Sequence, residues 1–250
     1  MKNQYFADAR DLFKYDLIIS LMSDYELAKN FTFVPMLTPD VSTTHGSLTN
    51  YKNGWPGTQR NDLVKFLSMC IKTKRRDIRN IESFFHRAKS CSGLSVKIYS
   101  KDNLFRNETR SNYFDNLPVN LLKNSIIFLD PDTGLEIKSD TNNKEAHLKY
   151  VEVRNVYRKM DKNSILLIFQ FIPRVRRQPY ILKICERLDK AINKKFAIHY
   201  VSDNKIVFFA LSKSKAREKL LNRAIKGYSI RYNLAFGGQT YHQRFNISSD

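Results

Sequence analysis

Cysteine, glycine, proline and tryptophan are scarce in this chain of 250 residues, which holds 3 cysteines, 8 glycines, 7 prolines and 1 tryptophan. The odd number of cysteines and the wide, irregular spacing of Cys70, Cys91 and Cys185 exclude a disulfide framework and a zinc knuckle. We therefore expect a reducing compartment and predict that the protein is cytoplasmic.

Long apolar runs and several common catalytic motifs are missing as well. No window approaches the roughly 18 apolar residues that a membrane span requires, so no membrane partner is expected. The sequence has no Gly-x-Ser-x-Gly elbow, no Walker phosphate loop and no pair among its 5 histidines at metal-ligand spacing. These absences argue against serine hydrolases and P-loop nucleotidases.

Positive charge, in contrast, is abundant. The chain has 43 lysines and arginines against 24 acidic residues, a net charge of +19, while 42% hydrophobic residues exclude disorder as its main character. A polyanionic partner is the common reason for such an excess, which predicts binding to nucleic acid, either DNA or RNA. The alternative is that many of these side chains are only solvated. The basic residues cluster in segments 72–79, 174–177 and 213–226.

Helical and apolar patterns alternate along the chain. Helical spacing of apolar residues predicts helices over 9–29, 60–74, 77–89, 145–160, 179–192 and 213–226. Apolar runs predict strands over 31–37, 94–100, 125–130, 164–171, 196–202, 205–212 and 228–236. Asp203 and Asn204 mark a hairpin turn, and Gly237 and Gly238 are interpreted as a turn. We predict one α/β domain over 1–250, a Rossmann-like, mostly parallel sheet with helices on both faces, a C-terminal antiparallel hairpin and a helical insertion around 58–92.

The segment SIIFLDPDTGLEIK, residues 125–138, carries the most chemical information. An apolar strand runs directly into Asp130, Pro131 and Asp132, and Glu136 follows. Because ligands of open α/β sheets bind at the carboxyl ends of strands, these carboxylates are expected to face a crevice. The alternative is an ordinary loop in which an aspartate caps a helix.

Two reactions fit this segment. In the first, Asp130 and the Pro131 backbone accept hydrogen bonds from the exocyclic amine of a flipped-out base, whose nitrogen attacks a sulfonium methyl group. In the second, Asp130, Asp132 and Glu136 bind Mg²⁺ and Lys138 supports a water that attacks a phosphodiester, as in a restriction or defence endonuclease. A third hypothesis is that the protein is a non-catalytic nucleic-acid-binding module.

Basic and aromatic residues follow the strand at 164–171. They are expected to lie near Asp130, because neighbouring strand ends meet at one edge of a sheet. We expect the basic ones to bind phosphates and the aromatic one to stack on a base. Trp55, in a polar loop, is either a stacking platform or a loop anchor. The candidate nucleic-acid-binding residues are Arg75, Arg76, Phe171, Arg174, Arg176 and Arg177.

The opening NQYFADARDLFKYDLIISL, residues 3–21, and the Asp130-Pro131-Asp132 motif resemble the large-subunit ribosomal RNA adenine N6-methyltransferases of the J type, which have a class I methyltransferase fold. A family of uncharacterised bacterial proteins is more similar still. The resemblance covers the first 25 residues and residues 120–180. Asp132 and Thr133 depart from the proline and aromatic of the methyltransferase motif, and no glycine-rich turn follows residues 31–37.

That resemblance implies S-adenosylmethionine as cofactor and adenine as the methylated base. On it, Asp130 and Pro131 would hold the target amine, and Tyr5, Asp11 and Lys14 would shape the cofactor or substrate site. We also expect Asp40, at the start of the polar loop that extends to Gly57, to contact the cofactor.

Overall fold

The computed structural model describes residues 1–42, 46–136, 144–193 and 196–239. Its strands are β1 (Asn30–Pro35), β2 (Ser95–Ile98), β3 (Ser125–Asp130), β4 (Gly134–Leu135), β5 (His147–Leu148), β6 (Ile165–Phe171), β7 (Ile198–Ser202), β8 (Ile206–Ser212) and β9 (Ala235–Gln239). Its α-helices are α1 (Ala9–Ile19), α2 (Asn61–Lys72), α3 (Asn80–Arg87), α4 (Arg110–Asp115), α5 (Tyr150–Lys159), α6 (Arg177–Ile192) and α7 (Lys215–Arg231).

The main sheet has seven strands in the order β2-β1-β3-β6-β8-β7-β9. The first four strands are mutually parallel, whereas β8 runs antiparallel to both β6 and β7, and β9 runs antiparallel to β7. This arrangement confirms the predicted α/β class with its C-terminal antiparallel strands. The short strands β4 and β5 form a separate parallel pair.

Helices cover both faces of the sheet because the parallel strands are apolar on both sides. Alternate residues of β3 face opposite cores: Ile126 and Phe128 pack with α1, α2, α3 and α7, whereas Ile127 and Leu129 pack with α4, α5 and α6. Every residue of β3 is buried, and each fully buried large apolar side chain contributes about 1.5–3 kcal/mol. The central strands therefore give a rigid base to the loops at their carboxyl ends.

Several local predictions were wrong. Residues 228–231 belong to α7, because Leu221, Ile225 and Tyr228 recur at helical spacing and are buried. Gly237 and Gly238 lie in β9 rather than in a turn, and a Cβ on either would come 2.6 Å from Tyr200 or His199 of β7.

Helix boundaries also differ from those predicted. Helix α5 begins at Tyr150 rather than near 145, since the Glu152 carboxylate accepts a hydrogen bond from the backbone N–H of Lys149, the residue before the helix. Helix α4, which lies in the segment between β2 and β3, was not predicted.

The order of the strands reverses between β1 and β3, and this defines the place where an open α/β sheet forms a crevice. The chain crosses from β1 to β2 on one side and from β3 to β6 on the other. Residues at the start of the chain lie in this crevice: the Met1 amino group donates to Met36 O at 2.8 Å, and Thr38 N donates to Met1 O at 2.7 Å.

None of the helices in the part of the chain that the structure describes has both the length and the apolar character that a membrane span needs.

Candidate functional site

A buried cluster of charged side chains lies where β3 ends. Nζ of Lys14 donates hydrogen bonds to Oδ2 of Asp130 at 2.8 Å and to Oδ1 of Asp11 at 2.6 Å. Asp11 also accepts a hydrogen bond from the backbone N–H of Ala7 at 3.1 Å. The three charged side chains are at most 5% exposed. Helix α1 thus brings a cation to the carboxylate at the end of β3.

Helical periodicity explains how α1 supplies this cluster. Asp8 caps the helix, its Oδ1 accepting hydrogen bonds from the backbone N–H groups of Arg10 and Asp11 at 2.9 and 3.1 Å. Asp8, Asp11 and Lys14 follow one another at intervals of three and therefore share one face of the helix. Phe13 fixes the helix on the sheet through an edge contact with Phe208, with ring centroids 4.9 Å apart.

Two backbone conformations with positive φ frame the cluster. Ala7 has φ of 67°, a region that alanine occupies at a cost, and its N–H is thereby directed to Asp11. Gly134 has φ of 130°, and a Cβ there would come within 2.4 Å of the Gln170 side chain. Gln170 accepts a hydrogen bond from Leu135 N at 2.6 Å, so this glycine lets β6 hold the chain that follows Asp130.

Burial dominates the protonation of the cluster. It raises the pKa of Asp8, Asp11 and Asp130 above the usual aspartate range, and the nearby cations of Arg10 and Lys14 offset only part of this rise. Burial alone would lower the pKa of Lys14, but the carboxylates of Asp11 and Asp130 outweigh it and raise that pKa. Lys14 is therefore protonated at neutral pH, beside carboxyl groups that bind protons more readily than aspartates in water.

A small hollow of about 20 Å³ opens beside the cluster, enough for about one water molecule. The guanidinium of Arg10 lies 4.6 Å from the centroid of the Phe171 ring. Oδ2 of Asp8 and Nε of Arg10 are buried and have no hydrogen-bond partner within the described part of the chain. Besides the charged cluster, the hollow is lined by Met1, Tyr5, Pro131, Asp132, Phe169 and Phe171.

A second, larger hollow of about 400 Å³ shares Arg10 with the small one. It lies between the start of α1, the loop that carries Trp55 and the β7-β8 hairpin. We call it the Trp55 hollow. Its volume falls in the range of ligand-binding cavities.

Asp132 joins the end of β3 to the end of β1. Its Oδ2 accepts a hydrogen bond from Lys2 Nζ at 2.7 Å, and the same ammonium donates to Thr38 Oγ1 at 2.7 Å. Burial would raise the pKa of Asp132, but the positive charges of the Met1 amino group and Lys2 outweigh it and lower that pKa. Asp132 is therefore ionised and paired with the Lys2 ammonium.

Glu136 belongs to a different polar cluster. Its Oε1 accepts a hydrogen bond from Tyr150 N at 3.2 Å. Nearby, Arg110 Nε donates to Glu152 Oε1 at 2.6 Å, and both side chains are at most 7% exposed. Burial raises the pKa of Glu152 to about 7, despite the opposing charge of Arg110. The acidic trio expected from the sequence is thus divided between two clusters.

No group of three or more histidine, cysteine, aspartate or glutamate side chains in the described ranges is arranged to hold a metal ion. Asp130 and Asp132 are each bonded to a lysine instead. Lys138, which the nuclease reading requires, lies outside the described residues.

Of the residues expected to bind the cofactor, the structure brings Tyr5, Asp11 and Lys14 together around the small hollow. Asp40 is exposed, and its Oδ1 accepts a hydrogen bond from the backbone N–H of Gln4 at 2.9 Å. Asp40 is not among the residues that line either hollow.

The expected nucleic-acid-binding residues fall into two groups. Phe171 is the last residue of β6, and Arg174 and Arg176 are exposed in the loop between β6 and α6, which begins at Arg177. Arg177 donates to Asn204 Oδ1 at 2.7 Å and so ties α6 to the β7-β8 hairpin.

Arg75 and Arg76 precede α3. Arg75 is exposed, whereas the half-buried Arg76 donates to the carbonyls of Phe6 and Gly46 at 2.7 and 2.8 Å. The Arg76 guanidinium thereby anchors the N-terminal segment.

Sequence reasoning missed Lys2, Asp8, Arg10 and Phe169, which all lie at the site. For Asp8 a usable signal existed: with Asp11 and Lys14 it forms a charged row at helical spacing on a helix whose other residues are mostly apolar. Lys2 carries no such signal, because its pairing with Asp132 spans 130 positions of sequence.

Comparison of the sequence with protein-family models and with curated proteins finds no match.

Proposed function

We propose that this protein is a nucleic-acid-modifying enzyme that transfers a methyl group from S-adenosylmethionine to the exocyclic amine of adenine. The observation that carries the proposal is the position of Asp130: a buried carboxylate, bonded to Lys14, at the carboxyl end of β3 where the strand order reverses. A carboxylate held here accepts a hydrogen bond from an amine and takes up the proton that the nitrogen loses when it is methylated.

Lys14 is the positioning residue in this proposal. Burial raises the pKa of Asp130, and Lys14 opposes that rise. The ammonium therefore favours the ionised carboxylate, which can accept a hydrogen bond, over the neutral acid. It also fixes Oδ2 of Asp130 at 2.8 Å from a partner on α1, so the carboxylate is oriented before the substrate arrives.

The residues present fit S-adenosylmethionine in their chemistry. When bound, this cofactor supplies an electrophilic methyl group on a sulfonium cation. The buried Oδ2 of Asp8 has no hydrogen-bond partner within the described residues and lies 3.7 Å from the Arg10 guanidinium; a carboxylate here would also suit the sulfonium charge. The small hollow has room for about one water molecule, so of these two hollows only the Trp55 hollow has the volume to hold a group of the cofactor's size.

The exposed basic residues support nucleic acid as the substrate. Arg174 and Arg176 lie in the loop that follows β6, and β6 is the strand adjacent to β3 in the sheet. They would bind phosphates on either side of the target nucleotide. The three cysteines are buried and form no disulfide bond. Cysteines of this kind suit a reducing compartment, and we propose that the protein is cytoplasmic.

The test is methyl transfer from S-adenosylmethionine labelled in its methyl group to DNA and to RNA, followed by mass spectrometry of the released nucleosides. We expect N6-methyladenine with one of the two substrates and a loss of about 100-fold or more in Asp130→Asn. Asp115→Asn, which neutralises an exposed carboxylate on α4, is the matched control and should retain full activity.

Methylation that is equal in wild type and Asp130→Asn would overturn the assignment of Asp130. The absence of methylation from both substrates would overturn the reaction. Magnesium-dependent cleavage of nucleic acid that Asp130→Asn abolishes would replace methyl transfer with the nuclease reaction.

A further inference from the structure

The Trp55 hollow has an apolar, largely aromatic floor. Phe13 and Tyr232 are buried there, Trp55 is half-buried, and Leu234 and Pro56 complete the apolar wall. Flat rings stack on such surfaces through dispersion and quadrupole interactions. The hollow therefore suits a planar aromatic group better than a flexible aliphatic one.

The loop that carries Trp55 packs closely against α1. The Trp55 carbonyl accepts hydrogen bonds from the backbone N–H and the hydroxyl of Thr58 at 3.1 and 2.7 Å. Gly57 has φ of 89°, and a Cβ there would come 2.7 Å from the Leu12 side chain. The close approach that this glycine permits fixes the loop and the aromatic floor before any ligand binds.

The rim of the hollow is polar and carries positive charge. Arg10 and the exposed Lys205 supply two cations, against one carboxylate, Asp203, whose Oδ1 accepts hydrogen bonds from the backbone N–H groups of Lys205 and Ile206 at 2.6 and 2.7 Å. Asn204 of the hairpin adds an amide. Nζ of Lys52 lies 5.8 Å from the centroid of the Trp55 ring. An aromatic floor beneath a cationic, hydrogen-bonding rim matches a nucleoside, whose base is flat and whose sugar carries hydroxyl, phosphate or other polar groups.

We infer that the Trp55 hollow binds a purine nucleoside, with its base on Trp55 and its polar substituents at Lys205 and Arg10. Arg10 also lines the small hollow beside Asp130, so the two hollows share this side chain. The inference rests on the proposed function for the choice of a purine and for the source of the ring. That source is either the adenosyl group of S-adenosylmethionine or a nucleotide of the nucleic-acid substrate.

Trp55 is the only tryptophan in the chain, so its fluorescence reports directly on the hollow. The full-length protein is titrated with adenosine 5′-monophosphate, with S-adenosylmethionine and with a short adenine-containing oligonucleotide. Ribose 5-phosphate, which has the sugar and phosphate but no base, is the control. We expect saturable quenching by at least one of the three base-containing probes and none by ribose 5-phosphate.

The set of probes that quench Trp55 fluorescence identifies the source of the bound ring. Quenching by S-adenosylmethionine that adenosine 5′-monophosphate competes away assigns the hollow to the cofactor. Quenching by the oligonucleotide and the monophosphate, but not by S-adenosylmethionine, assigns it to the substrate. The absence of saturable quenching by all three overturns the inference.

Variants measured by calorimetry connect binding to named side chains. Trp55→Leu should weaken binding of the quenching probe about tenfold, whereas Trp55→Phe, which keeps a flat ring, should restore most of it. Lys205→Ala should weaken binding severalfold, and Lys123→Ala, an equal loss of charge at the amino end of β3, should not. Equal affinity in wild type and Trp55→Leu would overturn the assignment.

The two proposals fail separately. A protein that binds purine nucleosides at Trp55 but methylates neither DNA nor RNA refutes the proposed reaction and leaves the binding site standing. A protein that methylates adenine with the same Michaelis constants in wild type and Trp55→Leu refutes the binding site alone.

Discussion

Nζ of Lys14 lies 2.8 Å from Oδ2 of Asp130, although 116 positions of sequence separate the two residues. This contact connects the first helix to the third strand of the sheet and joins the two segments in which the sequence shows its most distinctive patterns. It also places a buried, protonated amine beside a carboxylate whose pKa is raised by burial.

Removal of the cation should destabilise the fold. In Lys14→Met the carboxyl groups of Asp11 and Asp130 lose their shared partner, and breaking a buried ion pair costs about 3–5 kcal/mol. Urea denaturation at pH 7 measures this loss. The double variant Lys14→Met with Asp130→Asn should lose less than the sum of the two single variants, because it leaves one fewer charge unpaired. Additive losses would contradict the coupling.

Lys14 should also control the pH dependence of the proposed reaction. Without the ammonium the pKa of Asp130 rises further, so the acidic limb of the pH profile of methyl transfer should move to higher pH. The comparison uses Lys14→Met at pH values where it is folded. Lys2→Met, which removes the partner of Asp132, is the control and should leave that limb in place. An unchanged limb in Lys14→Met would mean that Lys14 has only a structural role.

Glu152 should make stability depend on pH. Its pKa rises from 4.5 in the unfolded chain to about 7 in the folded protein, mainly through burial. The folded state therefore binds more protons between these values, and the contribution of Glu152 to stability is lost as pH rises from about 4.5 to about 7.

In Glu152→Gln this dependence disappears. The free energy of unfolding of wild type should fall between pH 5 and pH 8 by an amount on the order of 3 kcal/mol more than that of the variant. Urea denaturation at the two pH values gives the difference. Parallel changes in both proteins would show that Glu152 keeps an ordinary pKa.

Ala7 occupies a left-handed conformation with φ of 67°. Ala7→Gly should change stability by no more than about 0.5 kcal/mol, since relief of the left-handed cost and the extra entropy of unfolded glycine nearly cancel. Ala7→Val should lose about 2 kcal/mol or more, because a β-branched residue tolerates this conformation poorly and the site is buried. Equal stability of the glycine and valine variants, measured by thermal denaturation, would contradict the assigned conformation.

Salt dependence tests the basic surface. Loss of both Arg174 and Arg176 should reduce the slope of log affinity against log salt for nucleic acid by about 2, about one unit for each lost phosphate contact. Lys97→Ala with Lys123→Ala removes the same net charge from exposed positions on β2 and before β3. That control should leave the slope unchanged, and an equal reduction in both pairs would show that only net charge matters.

Apolar runs and helical spacing were enough to predict the fold class and most of the elements. The strand ending at Asp130 is completely buried, as its uninterrupted apolar sequence indicates. The error at 228–236 has a clear origin, since short apolar segments fit a strand and a helix equally well. Only the packing of Tyr228 against the rest of the core decides between them.

For the site, the sequence and its family resemblance singled out Asp130, Lys14 and Phe171 as candidates. The sequence predicted that Phe171 lies near Asp130 but not that Lys14 contacts that carboxylate. It also grouped Glu136 with Asp130 and Asp132, because the three are close in sequence. The turn at Gly134 separates them, so Glu136 contacts the start of α5 while Asp132 contacts Lys2.

The sequence by itself determined most of the segments that become helices and strands, because these follow from local periodicity. It also determined that acidic residues follow an apolar strand in a strongly basic chain. Only the tertiary structure decided which charges neutralise one another, which carboxylates are buried and where two hollows meet at Arg10. Those features depend on contacts between residues that lie far apart in the chain, and no local pattern encodes the distance between them.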